Sequence, residues 1–503
     1  MSRHSTVVLS VLAFSLSIAV SADLEQGPPQ NDRVDVLINF TSRPGQSDRA
    51  LVEQAGGRIR FTYSIVPAMA VNLPRAAATA LAANPRVSFI EDDVEVFAED
   101  AELDDTWGVK AIGAGAAHEA GTPILGAGIN VAVIDTGIDY THPDLAANYR
   151  GGFDFLNDDA DPMDDCGHGT HVAGTIGALK NAVGVVGVAP AANLYALKFM
   201  GPSTGNKCSG PISAALAAID WAVQHGIHIT NNSWGGGGFS TTVDAAFANS
   251  AALGMLHVAS AGNNGTCDGA GENTGYPANY RSVIAVAAID STDTRACFSS
   301  TGPNLELSAP GVQVRSTIRG GNYGSNWSGT SMASPHVAGT AALLLSQGIL
   351  DANANGRVND EVRNALAMSA LDLGTPGRDE WYGFGRVRVP EALDAAEAAP
   401  PLTLSVDRIS YALSGGGRGK NKDMTVTVGT VYGLVVPVAG TVQVTLTLNG
   451  SLYQSVEGTT DQNGQVSFLF RNSPAGAYAT TVTWASSGGL TWDGRTPANG
   501  IVK

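Results

Sequence analysis

Hydrophobic and polar positions follow three different rhythms along the chain. In Val34-Asp35-Val36-Leu37-Ile38-Asn39-Phe40 apolar and polar residues alternate, the period-2 mark of a half-buried strand. An Ala-rich helical piece near Leu51 to Ala55 follows, then strands at Ile59-Arg60-Phe61 and Met69 to Leu73, an Ala-rich helix from Arg75 to Ala83 and a strand from Val87 to Asp93. Strands and two helices in this order predict a small split βαβ domain. From about residue 107 to 398 the rhythm changes to short apolar strands alternating with helical runs. Strands are expected at 129–134, 193–198, 227–230, 255–259 and 283–286, and helices at 169–179, 210–224, 241–253 and 331–347. That alternation predicts a parallel α/β sheet whose site lies at the carboxyl ends of its strands. Past an Ala/Pro-rich linker from Ala395 to Pro401 the helical pattern stops. Alternating runs at 424–428, 441–448, 466–470 and 478–484, separated by Gly, Asn and Asp turns, predict a small β-sandwich.

The N-terminus changes the picture first. Arg3 and His4 precede an apolar core from Val7 to Val20, and Val20-Ser21-Ala22 is a small-residue cleavage pattern, so residues 1–22 read as a secretory signal peptide and the product as secreted. The run is interrupted by Ser10, Ser15 and Ser17 and is short for a bilayer span, and no later stretch is long and apolar enough for one. A net charge of −17, from 29 basic and 46 acidic side chains, argues against a nucleic-acid partner, which needs a basic surface. Four cysteines, Cys166, Cys208, Cys267 and Cys297, are an even count in an exported chain and favour disulfides. Three connectivities are open, and the sequential one, Cys166 with Cys208 and Cys267 with Cys297, is the expectation. A zinc site at Cys166 is disfavoured because no C-x-x-C pair exists and His168 and His171 lack the Glu of a zincin helix.

The candidate chemistry starts at Asn326-Trp327-Ser328-Gly329-Thr330-Ser331-Met332-Ala333-Ser334-Pro335-His336, where one serine sits in a glycine-flanked turn that runs into an apolar helical pattern. A serine hydroxyl is a weak nucleophile at neutral pH and needs a histidine base and an orienting carboxylate. Asp135 ends the apolar run Ile129 to Ile134, and His168 opens His168-Gly169-Thr170-His171-Val172-Ala173-Gly174. These three motifs, in the order Asp, His, Ser, resemble the subtilisin family of serine peptidases. The order opposes an α/β-hydrolase or a chymotrypsin-like enzyme, and Gly329-Thr330-Ser331-Met332-Ala333 fails the G-x-S-x-G elbow at its last position.

The resemblance implies an α/β, subtilisin-like parallel-sheet catalytic domain at 101–398, a serine endopeptidase acting on proteins through an acyl-enzyme. It implies that residues 23–100 are a ferredoxin-like α+β propeptide, which includes Gly56-Gly57 and Ile90-Glu91-Asp92-Asp93, helps folding and then inhibits the enzyme until it is removed between Phe97 and Asp105. Residues 402–503 loosely resemble bacterial Ig-like modules. In Ser260-Ala261-Gly262-Asn263-Asn264-Gly265, Asn263 takes the place of the oxyanion-hole asparagine. Ser233-Trp234-Gly235-Gly236 resembles the strand that pairs with an extended substrate, and Gly275, before Tyr276-Pro277, the pocket floor, which implies large apolar or aromatic P1 residues. The segment from Leu179 to Pro190 is similar to the loop that binds a structural Ca²⁺ in the family. The implied ligands are the backbone oxygens of Leu179, Val183 and Val185, the Asn181 side chain and the Asp144 carboxylate. The N-terminal ligand falls near Leu103, which cannot serve, so Glu102 or Asp104 is expected to replace it.

Asp351-Ala352-Asn353-Ala354-Asn355-Gly356 begins like an EF-hand loop, but its twelfth position is Val362 in place of Glu, and a solvated loop is the simpler reading. The expected partners are protein substrates and the chain's own propeptide, with a monomer as the working unit. A catalytically silent surface-binding protein, using the peptidase fold as scaffold for the Ig-like tail, is the alternative of a different class; the presence of all three triad members counts against it.

Overall fold

The computed structural model describes residues 33–93, 101–205, 207–397, 403–415 and 423–503. The expected signal peptide at 1–22 lies outside the described residues, as do the start of the expected processing interval and the end of the Ala/Pro linker. The chain forms two compact units, Met1–Ala98 and Glu99–Lys503.

In the first unit four antiparallel strands stand in the order Arg58–Thr62, Ala68–Pro74, Arg33–Phe40, Val87–Asp92. Helices Gln46–Gln54 and Arg75–Ala82 cross between them. The first helix begins five residues before the Ala-rich piece that announced it, because buried Asp48 accepts the Gly45 N–H and pairs with Arg86 at 2.5 and 2.8 Å. Val36, Ile38, Phe40, Val52, Met69, Val71 and Leu73 form the core. Gly57 belongs to that packing, since a Cβ there would lie 2.6 Å from the Val52 side chain.

The second unit is built on a seven-stranded parallel sheet. Its order is Leu305–Pro310, Val283–Ile289, Leu256–Ser260, Ile229–Asn232, Asn130–Asp135, Asn193–Lys198, Tyr149–Asp154. The inner strand Asn130–Asp135 shows why these runs are continuously apolar. Val131 and Val133 point into one apolar cluster and Ala132 and Ile134 into the other, all fully buried, because helices cover both faces. Helices His168–Gly177 and Thr330–Gln347 lie on the first face, and Ile212–Gln224 and Thr241–Ala252 on the second. The Thr330–Gln347 helix is buried nearly all round, which its small residues permit: a Cβ on Gly339 would lie 2.6 Å from Val188 Cβ.

Residues 403–415 and 423–503 form two sheets, antiparallel except where Thr403–Ser414 pairs with Thr491–Trp492, enclosing a separate apolar core of Leu404, Val426, Val428, Val444 and Leu446. Polar contacts attach this sandwich to the sheet domain. Asp407 accepts both Arg281 Nη atoms at 3.0 and 3.1 Å, Arg408 donates to Asn304, and Asn463 donates to Asp244. The two disulfides are Cys166–Cys208 and Cys267–Cys297, the sequential pairing. Among the described residues no helix is long and apolar enough to cross a membrane.

Candidate active site

Asp135 is the last residue of the inner strand Asn130–Asp135 and is fully buried. Its Oδ1 takes the Thr136 N–H and lies 2.8 Å from His168 Nδ1. His168 starts its helix after Gly167, whose φ of +99° is open to glycine and strained for other residues. Gly169 is equally constrained, because a Cβ there would come within 2.1 Å of the Gly137 carbonyl. Burial opposes charging His168, yet the Asp135 carboxylate, with help from Asp164, raises its pKa above the ordinary histidine value. His171, one turn along, behaves oppositely: burial pushes it down to about 3, so it is neutral. Its ring stacks on Trp327 at 4.7 Å, and that indole also lies 6.3 Å from the His168 ring.

A residue that sequence reasoning passed over holds this turn. Asp164 sits in the acidic stretch from Asp158 to Asp165, yet it is fully buried. It accepts the N–H groups of Cys166, Gly167 and Thr170 and the hydroxyls of Thr136 and Thr170. Thr136 Oγ1 in turn accepts the Gly169 N–H. The hydroxyl pattern Asp-Thr-Gly and His-Gly-Thr was the available signal, since two threonines flanking a catalytic pair call for a shared acceptor.

Ser331 lies in the first turn of its helix, after a strand, Asn322–Trp327, that the sequence reading did not include. The His168 and Ser331 helices pack side by side. His336 bears on the pKa of His171, and farther along a Cβ on Gly339 would lie 3.4 Å from the Ile176 carbonyl. The helices therefore run in the same direction, with His168 and Ser331 at the same end. The Ser331 hydroxyl donates to the Ser233 carbonyl at 3.1 Å, and the hydrogen bond expected between it and His168 is not made. Ser233 Oγ returns a bond to the Ser331 carbonyl at 2.8 Å, and a buried chain continues through Asn231 to Ser334.

Asn263 follows strand Leu256–Ser260, past Gly262 at φ +109°. Its Oδ1 accepts both the N–H and the hydroxyl of Thr330, at 2.9 and 3.0 Å, which fixes the amide so that Nδ2 is the free end. A methyl built on Gly329 would lie 3.5 Å from Asn263 Nδ2 and 3.7 Å from Ser331 N, so both donors face one small space. The Ser331 N–H, in the first turn of a helix, has no partner within it.

A cavity of about 380 Å³ opens beside Ser233 and is lined by Phe199, Met200, Trp234, Gly235 and Tyr276. Trp234 packs edge-on against Phe199 with ring centroids 5.0 Å apart and forms a wall of this cavity. Gly275 does not line it; its N–H donates to Ala261, and a Cβ there would have no neighbour nearer than 3.8 Å. Cys208 lines the cavity, so the Cys166–Cys208 bridge ties the turn before His168 to the cavity wall.

At the expected calcium loop Asp144 is fully buried and Glu102 almost so. Asp144 accepts the side-chain N–H of Asn181 at 2.8 Å, and Glu102 accepts the backbone N–H groups of Asn181 and Val183 at 3.0 and 2.7 Å. Leu179 donates to the Asp144 carbonyl and Val185 reaches its carboxylate at 3.5 Å. Of the two expected substitutes for the N-terminal ligand, Glu102 is at the loop, whereas Asp104 turns outward to Lys110. No Lys or Arg pairs with Glu102 or Asp144 among the described residues. Two buried carboxylates beside an oxygen-rich loop fit a hard cation, although no group of three or more His, Cys, Asp or Glu side chains gathers among the described residues.

Comparison with known proteins bears on the class of the protein. It is 40% identical over 386 residues to subtilisin J of Geobacillus stearothermophilus, an alignment spanning 76% of this chain and 96% of that protein. Subtilisin E of Bacillus subtilis is 41% identical over 343 residues, 68% of this chain and 84% of that one. An alkaline protease of Shouchella clausii is 38% identical over 394 residues, 77% and 97% of the two chains. With the parallel sheet and the aspartate–histidine pair at its carboxyl end, these relatives define the protein as a serine-type endopeptidase. Residues 126–385 match the model of the subtilase family, Peptidase S8, and the chain belongs to that family.

Proposed function

We propose that Ser331 is the nucleophile of a secreted endopeptidase, with His168 as its base and Asp135 as the group that orients the base. The observation that carries this reading is the 2.8 Å bond from buried Asp135 to His168, at the same helix end as Ser331. Rotation of the Ser331 side chain away from the Ser233 carbonyl aims its hydroxyl at His168. His168 takes its proton as Oγ attacks the peptide carbonyl, then passes the proton to the leaving amine. Asp135 holds the imidazole in the tautomer with hydrogen on Nδ1 and stabilises the imidazolium. The tetrahedral oxyanion is received by Asn263 Nδ2 and the Ser331 N–H, donors already in place before the reaction.

Ser233, Trp234 and Gly235 pair with an extended substrate, a backbone interaction that reads no particular sequence. The aromatic cavity beside Trp234 supports broad specificity with large apolar or aromatic P1 residues, with Gly275 as the pocket floor by resemblance. Calcium is the expected structural ion. Asp144, Glu102 and Asn181 with the carbonyls of Leu179, Val183 and Val185 would hold it, and it would neutralise the two buried carboxylates. Residues 23–100 are the propeptide, whose described part, 33–93, is a four-stranded ferredoxin-like sheet, and it inhibits the enzyme until the enzyme cuts it free. Secretion rests on the apolar leader at 1–22, and the enzyme works as a monomer.

Labelling of the purified mature protein by a fluorophosphonate tests the assignment. One equivalent of adduct on Ser331, absent in Ser331→Ala, is the expected result. No labelling, with the parent and Ser331→Ala behaving alike, would leave only a scaffold.

A further inference from the structure

The segment from Asp351 to Asp360 plays no part in the chemistry above, yet it gathers oxygen donors in a way a solvated loop does not require. Asp351 accepts the N–H groups of Asn355 and Gly356 at 3.0 and 2.7 Å. Asn353 and Asn355 accept the N–H groups of Asn355 and Arg357, which turns both side chains inward, and Gly356 at φ +82° closes the bend. The side-chain amides of Asn353 and Asn355 then converge on one oxygen of Asp360, each at 2.6 Å. Rotating either amide about its terminal bond puts Oδ1 in place of Nδ2 on the side facing Asp360, in exchange for its bond to the Asn355 or Arg357 N–H.

A second observation is independent of the loop's own hydrogen bonds. Asp360 is 7% exposed and Glu361 is fully buried, yet Asp360 Oδ1 and Glu361 Oε2 receive no N–H or O–H donor from any other residue, and the two carboxyls bear on each other. No Lys or Arg forms an ion pair with Asp351, Asp360 or Glu361 among the described residues; the nearby Arg363 is committed to Glu306 at 2.6 Å. Neighbouring buried carboxylates are costly unless a shared proton or a cation neutralises them. The EF-hand spacing of donors at the first, third and fifth positions is present. The acidic closing residue missing at the twelfth is supplied by Asp360 and Glu361, two and one residues earlier. Two of the donors are asparagines, so the set contains few of the residue types that mark a metal cluster.

We propose that Asp351 to Asp360 form a calcium site, with the Asp351 and Asp360 carboxylates, the Asn353 and Asn355 amide oxygens and the Arg357 carbonyl as ligands and Glu361 closing the inner side. Hard oxygen donors on a glycine-bent loop suit Ca²⁺ better than the compact octahedron that Mg²⁺ demands. The site has a mechanical consequence. It precedes helix Asn359–Ser369, whose Glu361 meets the Tyr432 hydroxyl at 3.3 Å and whose Asn364 bonds the Tyr432 carbonyl and the Leu434 N–H. Bound calcium therefore stiffens the root of the helix that holds the C-terminal sandwich.

The test uses the full chain carrying Ser331→Ala, so that it cannot digest itself, stripped with EDTA and titrated with CaCl₂ by calorimetry and equilibrium dialysis. Asp351→Asn combined with Asp360→Asn is expected to bind one Ca²⁺ fewer, whereas Asp144→Asn, at the other loop, leaves this site filled. An unchanged stoichiometry in the double variant overturns the proposal. If the double variant does not fold, hydrogen exchange in the Asp144→Asn chain decides. At ten times Kd, calcium should slow exchange at Asn355 and Gly356 about tenfold relative to EDTA, and equal rates overturn the proposal.

Discussion

The two helix starts that meet in the active site are built on opposite principles. On the His168 side a buried carboxylate, Asp164, takes five hydrogen bonds from the turn, and glycines at 167 and 169 leave the backbone no alternative path. On the Ser331 side the backbone is anchored just as firmly, through Thr330 to Asn263 and through Ser233, but the hydroxyl itself rests on a carbonyl from which it must turn away. On the proposed reading the base is held by Asp135, whereas the nucleophile rests on a carbonyl and has to leave it to react. Such a division would place preorganisation where charge develops, on the imidazolium and the oxyanion, and leave a side-chain torsion to substrate binding.

Three substitutions would break or sharpen that contrast. Asp135→Asn should lower kcat about 10⁴-fold. Because the carboxylate raises the His168 pKa, its removal lowers that pKa, and the acid limb of the kcat/KM profile should move to lower pH. A limb that stays put would mean that Asp135 does not set the base. Asn263→Ala, on the nucleophile side, should cost roughly 10²- to 10³-fold in kcat with little change in KM, read by steady-state kinetics on a peptide anilide. A rise in KM alone would place Asn263 in substrate binding. Asp164→Asn should have the smallest kinetic effect, about tenfold in kcat, but should cost about 1–3 kcal/mol of stability by removing an acceptor from the Thr170 N–H and hydroxyl. Thermal unfolding measures this, and an unchanged midpoint would show that the turn is held by its glycines alone.

Which parts of this arrangement could be read from the chain depended on how local their causes are. The inner strand and both helix starts were legible, since Ile129 to Asp135, His168-Gly169-Thr170 and Gly329-Thr330-Ser331 carry burial pattern and glycine placement in a few adjacent residues. The split βαβ order of the first unit and the sequential cysteine pairing were legible too. Asp164 was not, because an aspartate among five in eight residues looks like solvated surface, and only its long-range acceptors reveal burial. Strand Asn322–Trp327 escaped notice because it is partly exposed throughout and so lacks alternation. The resting bond from Ser331 to Ser233 joins positions 98 residues apart and leaves no local trace. Near Leu179 the pattern offered two acidic residues in place of Leu103, and only Glu102 packs at the loop: it is buried and Asp104 is not.

The Cys166–Cys208 bridge makes the enzyme's competence depend on the medium around it. It closes a 42-residue separation and by chain entropy stabilises the fold by about 4 kcal/mol, but the segment it braces leads straight into the catalytic base. A reducing medium would release that brace without touching the two apolar clusters of the sheet, to which neither cysteine belongs.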